Sequence, residues 1–181
     1  MTRCLFLLTA FVLLVIAGKS QSPVPADIIL KEATGEAAKT NKNVFIIFHA
    51  SWCGWCHKMD TAMNDAAVKR FFTDNYEIRH LVVLESKGKE NLENPGGMDL
   101  LKKYKGDNQG IPYWLIFDKE GKLLADSKMR PDGGGLETGD NAGCPASEKE
   151  VAHFIKVLKE TSPLNDAELL VIARRFRENE N

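Results

Sequence analysis

The sequence predicts an α/β fold: one domain with a central mixed sheet of about four to five strands and helices on both faces. Three observations predict it. Val44-Phe45-Ile46-Ile47-Phe48 is apolar without alternation, which fits a strand buried on both faces. Segments with apolar residues at helical spacing precede and follow that run. Further on, Asp118-Lys119-Glu120-Gly121 is a tight turn between two strand-like segments, the mark of a hairpin.

The chain of 181 residues opens with Met1-Thr2-Arg3, an apolar run from Leu5 to Ala17, and Gly18-Lys19-Ser20-Gln21-Ser22. A charged start, an apolar stretch and a small-residue cleavage site make residues 1–22 a secretory signal peptide and leave 23–181 as the domain. The apolar run is shorter than the roughly 20 residues a membrane helix requires. No other stretch is apolar enough, so the processed protein is expected in the periplasm or outside the cell, and not integral to the membrane. About 160 residues suffice for one domain with a real core. Removing Arg3 and Lys19 from 24 basic residues leaves 22 against 25 acidic ones, a net charge near -3, with no basic cluster for nucleic acid.

In order, the region from about Ala26 to Lys42 reads as a helix on Leu30, Ala33 and Ala37, and Asn43–Ala50 as the first strand. Met59, Met63, Ala66 and Ala67 give a second helix, which Val68, Phe71 and Phe72 extend or restart; Ile78–Leu84 is the second strand. Residues 86–110 form an insertion of loop signals around a short helix near Met98–Tyr104. Tyr113–Phe117 and Lys122–Ser127 are the hairpin strands, and Met129–Pro145 is a Gly-rich loop, with the Gly133-Gly134-Gly135 run read as mobile. Ser147 with Glu150, and Asn165 with Glu168, are capping boxes that start two closing helices, the second over 165–177.

Cys4 leaves with the signal, so Cys53, Cys56 and Cys144 remain, a close pair plus an outlier. Three is no disulfide framework; the pair suits redox chemistry. Cys53 and Cys56 stand between a buried strand and a helix start, where unpaired N–H groups and the positive dipole end stabilise a thiolate. The thiolate is the attacking species. Cys53 is thus read as the nucleophile and Cys56, one turn on, as the thiol that resolves the mixed disulfide.

Trp52-Cys53-Gly54-Trp55-Cys56 after Phe48-His49-Ala50-Ser51 resembles the active-site segment of thioredoxin-like proteins, and Gly110-Ile111-Pro112 before Tyr113–Phe117 is similar to that family's second signature. The resemblance covers roughly residues 26 to 160. It implies a thioredoxin-like fold, a cis Pro112 beside the cysteines, and Ile111 as a backbone position that faces substrate. It further implies thiol–disulfide exchange with protein substrates and a redox partner that supplies or accepts electrons, with no cofactor. Trp52 and Trp55 are read as an apolar contact surface, packing being the plain alternative, more so for Trp52. Gly54 and His57 are read as modulators, with His57 as a merely exposed first-turn residue the equal alternative, and His49 is expected to be packed and hydrogen-bonded. Cys144 is read as incidental, with pairing to another protein or a regulatory role as alternatives.

The chain departs from the family pattern in the insertion at 86–110, the long loop at 129–146 and the last helix at 165–177, and at two residues around the cysteines. Thioredoxin has a buried acid six residues before the first cysteine, where this chain has Ile47, and proline where this chain has Trp55. The inner residues tune redox potential, so inspection does not separate reductase from oxidase; a disulfide reductase is the first expectation, with an oxidase or isomerase folding catalyst, or a non-enzymatic binding module, as alternatives. Cys56-His57 also completes the C-x-x-C-H pattern of c-type haem attachment, which leaves the buried strand and the Gly-Ile-Pro segment unexplained. A zinc site is not expected, because adjacent Cys56 and His57 cannot readily share one ion and no second C-x-x-C pair exists.

Overall fold

The computed structural model describes residues 22–180, so nearly all of the segment read as a signal peptide lies outside the described residues. Helix α1 (Ala26–Thr40) leads into strand β1 (Asn43–His49), followed by α2 (Gly54–Met63), α3 (Lys69–Thr73) and β2 (Tyr76–Val82). A 3-10 turn at Glu90–Leu92 and α4 (Gly97–Lys103) occupy the insertion; β3 (Tyr113–Phe117) and β4 (Leu123–Asp126) form the hairpin. Two short strands, β5 (Lys128–Met129) and β6 (Asp140–Asn141), precede α5 (Glu148–Thr161) and α6 (Asp166–Arg177). The main sheet is four-stranded and mixed, in the order β2-β1-β3-β4, with β1 parallel to β2 and antiparallel to β3.

Strand alternation sorts the central residues between two cores. Val44, Ile46 and Phe48 of β1 with Tyr113, Leu115 and Phe117 of β3 pack against Ala33 and Ala37 of α1 and Leu101 of α4. Phe45 and Ile47 with Trp114 and Ile116 pack on the other side against α2, α5 and α6 through Met59, Met63, Phe154 and Phe176. Helices thus cover both faces, which is why β1 and β3 are apolar at every central position. Both capping boxes are formed, Ser147 with Glu150 and Asn165 with Glu168.

The element ends differ from the expectations for local reasons. Helix α1 stops at Thr40 because Asn41 turns left-handed (φ 54°) and its N–H bonds Ala37. The helix after the cysteines restarts rather than continues: Asp65 Oδ1 accepts the Ala67 N–H, and the Asp65 carbonyl accepts from Lys69. Strand β2 begins at Tyr76, opposite Asn43, and ends before Leu84, whose φ of 56° leaves the extended region. The largest correction concerns Met129–Pro145. It is not a plain loop: β5 and β6 pair across it, and Gly139 (φ 85°) lies so near Met129 that an added Cβ would stand 2.6 Å from the Met129 carbonyl oxygen. Beyond β6, Ala142, Cys144 and Ala146 are buried.

Candidate active site

The end of β1 delivers the chain to a turn at Ala50–Trp52, and α2 starts immediately behind it. Cys53 is the N-cap of α2: its sulfur accepts from the Cys56 N–H at 3.1 Å, and its carbonyl accepts from His57 N–H at 3.2 Å. The two sulfurs are joined in a disulfide, with Cα atoms 5.3 Å apart. Both cysteines are nearly buried, at 3% and 1% exposure, while their neighbours Trp52 and Trp55 are 56% and 49% exposed. A sulfur at that cap faces the unpaired N–H groups and positive end of the helix, the electrostatic setting that favours a thiolate once the pair is reduced.

The turn is tied down by the segment after β2. Glu85 accepts from both the N–H and the hydroxyl of Ser51, at 2.6 and 2.7 Å, and Trp52 Nε1 donates to the Leu84 carbonyl at 2.7 Å. The bonds from Ser51, the backbone one first, hold the Glu85 carboxyl below its ordinary range. His57 Nε2 pairs with the Ser51 carbonyl at 3.1 Å rather than with a cysteine. Trp52 is therefore anchored at its nitrogen while its ring stays exposed, and Gly54 sits exposed at the start of the helix. His49 is half-buried and packs edge-on to His80, ring centroids 5.0 Å apart.

Across the disulfide lies the bend before β3. The Ile111–Pro112 peptide bond is cis, the Ile111 carbonyl oxygen stands 3.6 Å from Cys53 Sγ, and Ile111 packs on Ala50, Cys53 and Cys56. Sequence reasoning missed what holds this bend. Asn141 Nδ2 lies within hydrogen-bonding distance of the carbonyls of Gln109, Gly110 and Pro112, at 3.2, 3.3 and 3.0 Å, and its Oδ1 accepts from Gly143. The result is a groove of about 200 Å³ beside the disulfide, lined by Trp55, Ile111, Pro112, Ala142, Gly143 and Cys144, with Glu150 at one side. No pattern in the sequence marks Asn141, which stands in a segment without periodicity.

Cys144 is not an exposed loop thiol. It is 5% exposed, accepts from Asn179 Nδ2 at 3.4 Å, and burial pushes its thiol up to about 12. The C-terminal segment also reaches the site: Lys58 donates to the Asn179 carbonyl at 3.0 Å and stands 4.7 Å above the Trp55 ring. Among the described residues, no group of three or more His, Cys, Asp or Glu side chains is arranged to hold a metal ion, and no helix is long and apolar enough to cross a membrane.

A family model described as thioredoxin-like matches residues 27–119. Among solved structures, the chain is similar to a disulphide isomerase from Xylella fastidiosa Temecula1, with 17% identity over 86% of this chain and 92% of that one, TM-score 0.49. It is also similar to a DsbH oxidoreductase, with 24% identity over 71% and 81% of the two chains, TM-score 0.44. A third likeness is to the C-terminal domain of Neisseria meningitidis DsbD in its oxidised form, with 21% identity over 58% and 84%, TM-score 0.40. No curated protein matches. The family match spans more than half of the chain and takes in both the cysteine pair and Pro112; with the C-x-x-C disulfide capping α2, it means that this chain belongs to the thioredoxin-like family and carries a disulfide of the redox type.

Proposed function

We propose that this chain is an exported thiol–disulfide exchange enzyme that works as a disulfide reductase on exported proteins. The observation that carries the reading is the closed Cys53–Cys56 pair at the start of α2, flanked by two exposed indoles and the Pro112 groove. In the reduced enzyme, Cys53 thiolate attacks a substrate disulfide, forming a Cys53–substrate disulfide and releasing one substrate thiolate. Cys56 then attacks Cys53 Sγ, the enzyme disulfide closes and the second substrate thiolate leaves. Two electrons pass from the enzyme dithiol to the substrate, and a redox partner restores them. Trp52, Trp55, Ile111 and Pro112 are the surface on which an extended substrate would lie. The charged and apolar segments within residues 1–22 support export.

The reducing direction is our reading of the residues that flank Cys53. Gly54 and Trp55, between the cysteines, carry no charge, and the His57 ring is turned to Ser51. A pair whose thiolate is supported mainly by the helix end has a less stabilised reduced form and is the better reductant. The test is the reduction potential of the pair, measured by equilibrating the protein in dithiothreitol or glutathione buffers and counting free thiols. A value near about -270 mV supports the reductase, one near about -120 to -180 mV would make the chain an oxidase or isomerase, and no reversible couple would overturn exchange altogether.

A further inference from the structure

We propose that Asp60 and His80, backed by His49, act as the proton acceptor for Cys56 in the resolving step, in place of the carboxylate that residue 47 does not provide. The inference rests on the exchange reading above and names residues that reading leaves idle. Cys56 is 1% exposed and must lose its thiol proton before it can attack. Ile47 is 1% exposed and packs among Met59, Met63 and Phe45, so the strand beneath α2 offers no acceptor there.

An acceptor stands one turn along the helix instead. Asp60 is four residues after Cys56, so the two share one side of α2, with Cβ atoms about 5–6 Å apart, and a helical side chain leans toward the preceding turn. One water spans such a gap. Asp60 Oδ1 is 2.8 Å from His80 Nε2, and His80 lies beside Ile47 in the parallel register of β1 and β2. His49, on the same face of β1 as Ile47, closes the group against His80 at 5.0 Å. The other titratable groups facing His49 are His57 on α2 and Glu85 beyond β2, both engaged by the Ser51 turn, while the Cys144 thiol feels both Asp60 and Lys58 of α2. Burial first, and then the neighbouring His80, keep the His49 pKa below the ordinary imidazole value, so it adds no positive charge near neutral pH. The Asp60 and His80 side chains are 34% and 35% exposed, open enough to exchange the proton with solvent.

The step balances. In the Cys53–substrate mixed disulfide, the Cys56 thiol gives its proton to the Asp60 carboxylate, and the resulting thiolate attacks Cys53 Sγ. The Cys53–Cys56 bond forms, the Cys53–substrate bond breaks, and the departing substrate thiolate takes the proton back. No oxidant beyond the substrate disulfide enters.

Single-turnover oxidation of the reduced protein by glutathione disulfide separates the two phases, mixed-disulfide formation at Cys53 and resolution by Cys56. Asp60→Asn is expected to slow the resolving phase about 100-fold at neutral pH, the low end of a positioned proton acceptor's contribution, and to leave the first phase unchanged. Its resolving rate should also rise about tenfold per pH unit where the unsubstituted protein is flatter. Asp60→Glu should restore most of the rate. His80→Gln keeps an N–H donor toward Asp60 but cannot take up or release a proton, and should slow the same phase about tenfold. A resolving phase unaffected in both Asp60→Asn and His80→Gln, or equal slowing of both phases, overturns this inference alone. Absence of any exchange in the unsubstituted protein overturns the exchange reading and this one with it.

Discussion

The disulfide lies between two walls of opposite construction. One is contiguous: Cys53, Gly54, Trp55 and Cys56 follow β1 directly, and the bond from the Cys56 N–H to Cys53 Sγ spans only three residues. The other is assembled at a distance. Its bend, Gln109–Pro112, is held by Asn141 from some 30 residues further on, and Asn141 is itself placed by the β5–β6 ladder and by the Ala142 N–H donating to the Ser127 carbonyl. The first wall carries the sulfurs and the second shapes the groove beside them. Chemistry and substrate fit should therefore be separable by substitution.

The largest expected effect belongs to the contiguous wall. Cys53→Ser should reduce disulfide exchange to the uncatalysed background while the thermal midpoint in reducing buffer stays near that of the parent, and Cys56→Ser should accumulate the mixed disulfide with substrate. Exchange that survives Cys53→Ser would mean that the sulfurs are not the reacting groups, and the division between walls would fail.

The assembled wall should break next, through stability rather than chemistry. Asp126 has a side chain 1% exposed, bonds Arg130 Nη1 and Nη2 at 2.6 and 2.5 Å, and accepts from Lys128 N–H at 2.9 Å. Removing one partner of a buried pair strands the other, so Asp126→Ala should cost about 3 kcal/mol in a urea titration. Asn141→Ala should cost less, about 2 kcal/mol, because it leaves carbonyls of the Pro112 bend without their donor. It should also lower turnover on a protein disulfide while leaving the potential of the cysteine pair unchanged. A shifted potential with normal turnover would show that Asn141 acts on the sulfurs and not on the groove.

What was legible in the sequence follows the same division. The unbroken apolar run Val44–Phe48 announced a strand covered on both faces, and its alternate residues do divide between the two cores. Ser147 with Glu150 and Asn165 with Glu168 announced their helices because a capping box is a three-residue device. C-x-x-C and Gly-Ile-Pro were visible for the same reason. Asn141, the Asp126–Arg130 pair and the Asp60–His80 contact were not, because each is polar, lies in no periodic pattern and acquires its partner only through tertiary folding. The segment around Cys144 was read as a loop on its glycines, whereas β5 and β6 pair across it and Ala142, Cys144 and Ala146 turn inward together. Leu84 was assigned to β2 on hydrophobicity, while its backbone is left-handed and its carbonyl accepts from the Trp52 indole.

The smallest expected effect compares a histidine behind each wall. His49 stands behind the cysteines, and His153 stacks on Trp114 behind the assembled wall, with ring centroids 6.1 Å apart and its Nε2 buried without a partner among the described residues. Burial is the main cause that lowers both pKa values; for His153, Asp126 opposes it and Lys156 and Arg130 add to it. A histidine that resists protonation when folded binds fewer protons than it does unfolded. Its contribution is therefore complete above the unfolded value, about 6.5, and is lost as the pH falls through the lower folded value. Stability measured by urea titration should thus decline from about pH 7 toward pH 5. His153→Phe keeps the ring on Trp114 and removes the titrating group, so it should flatten part of that decline and leave exchange by the cysteines unchanged. An undiminished decline in this variant would assign the acid sensitivity to His49 and the wall that carries the chemistry.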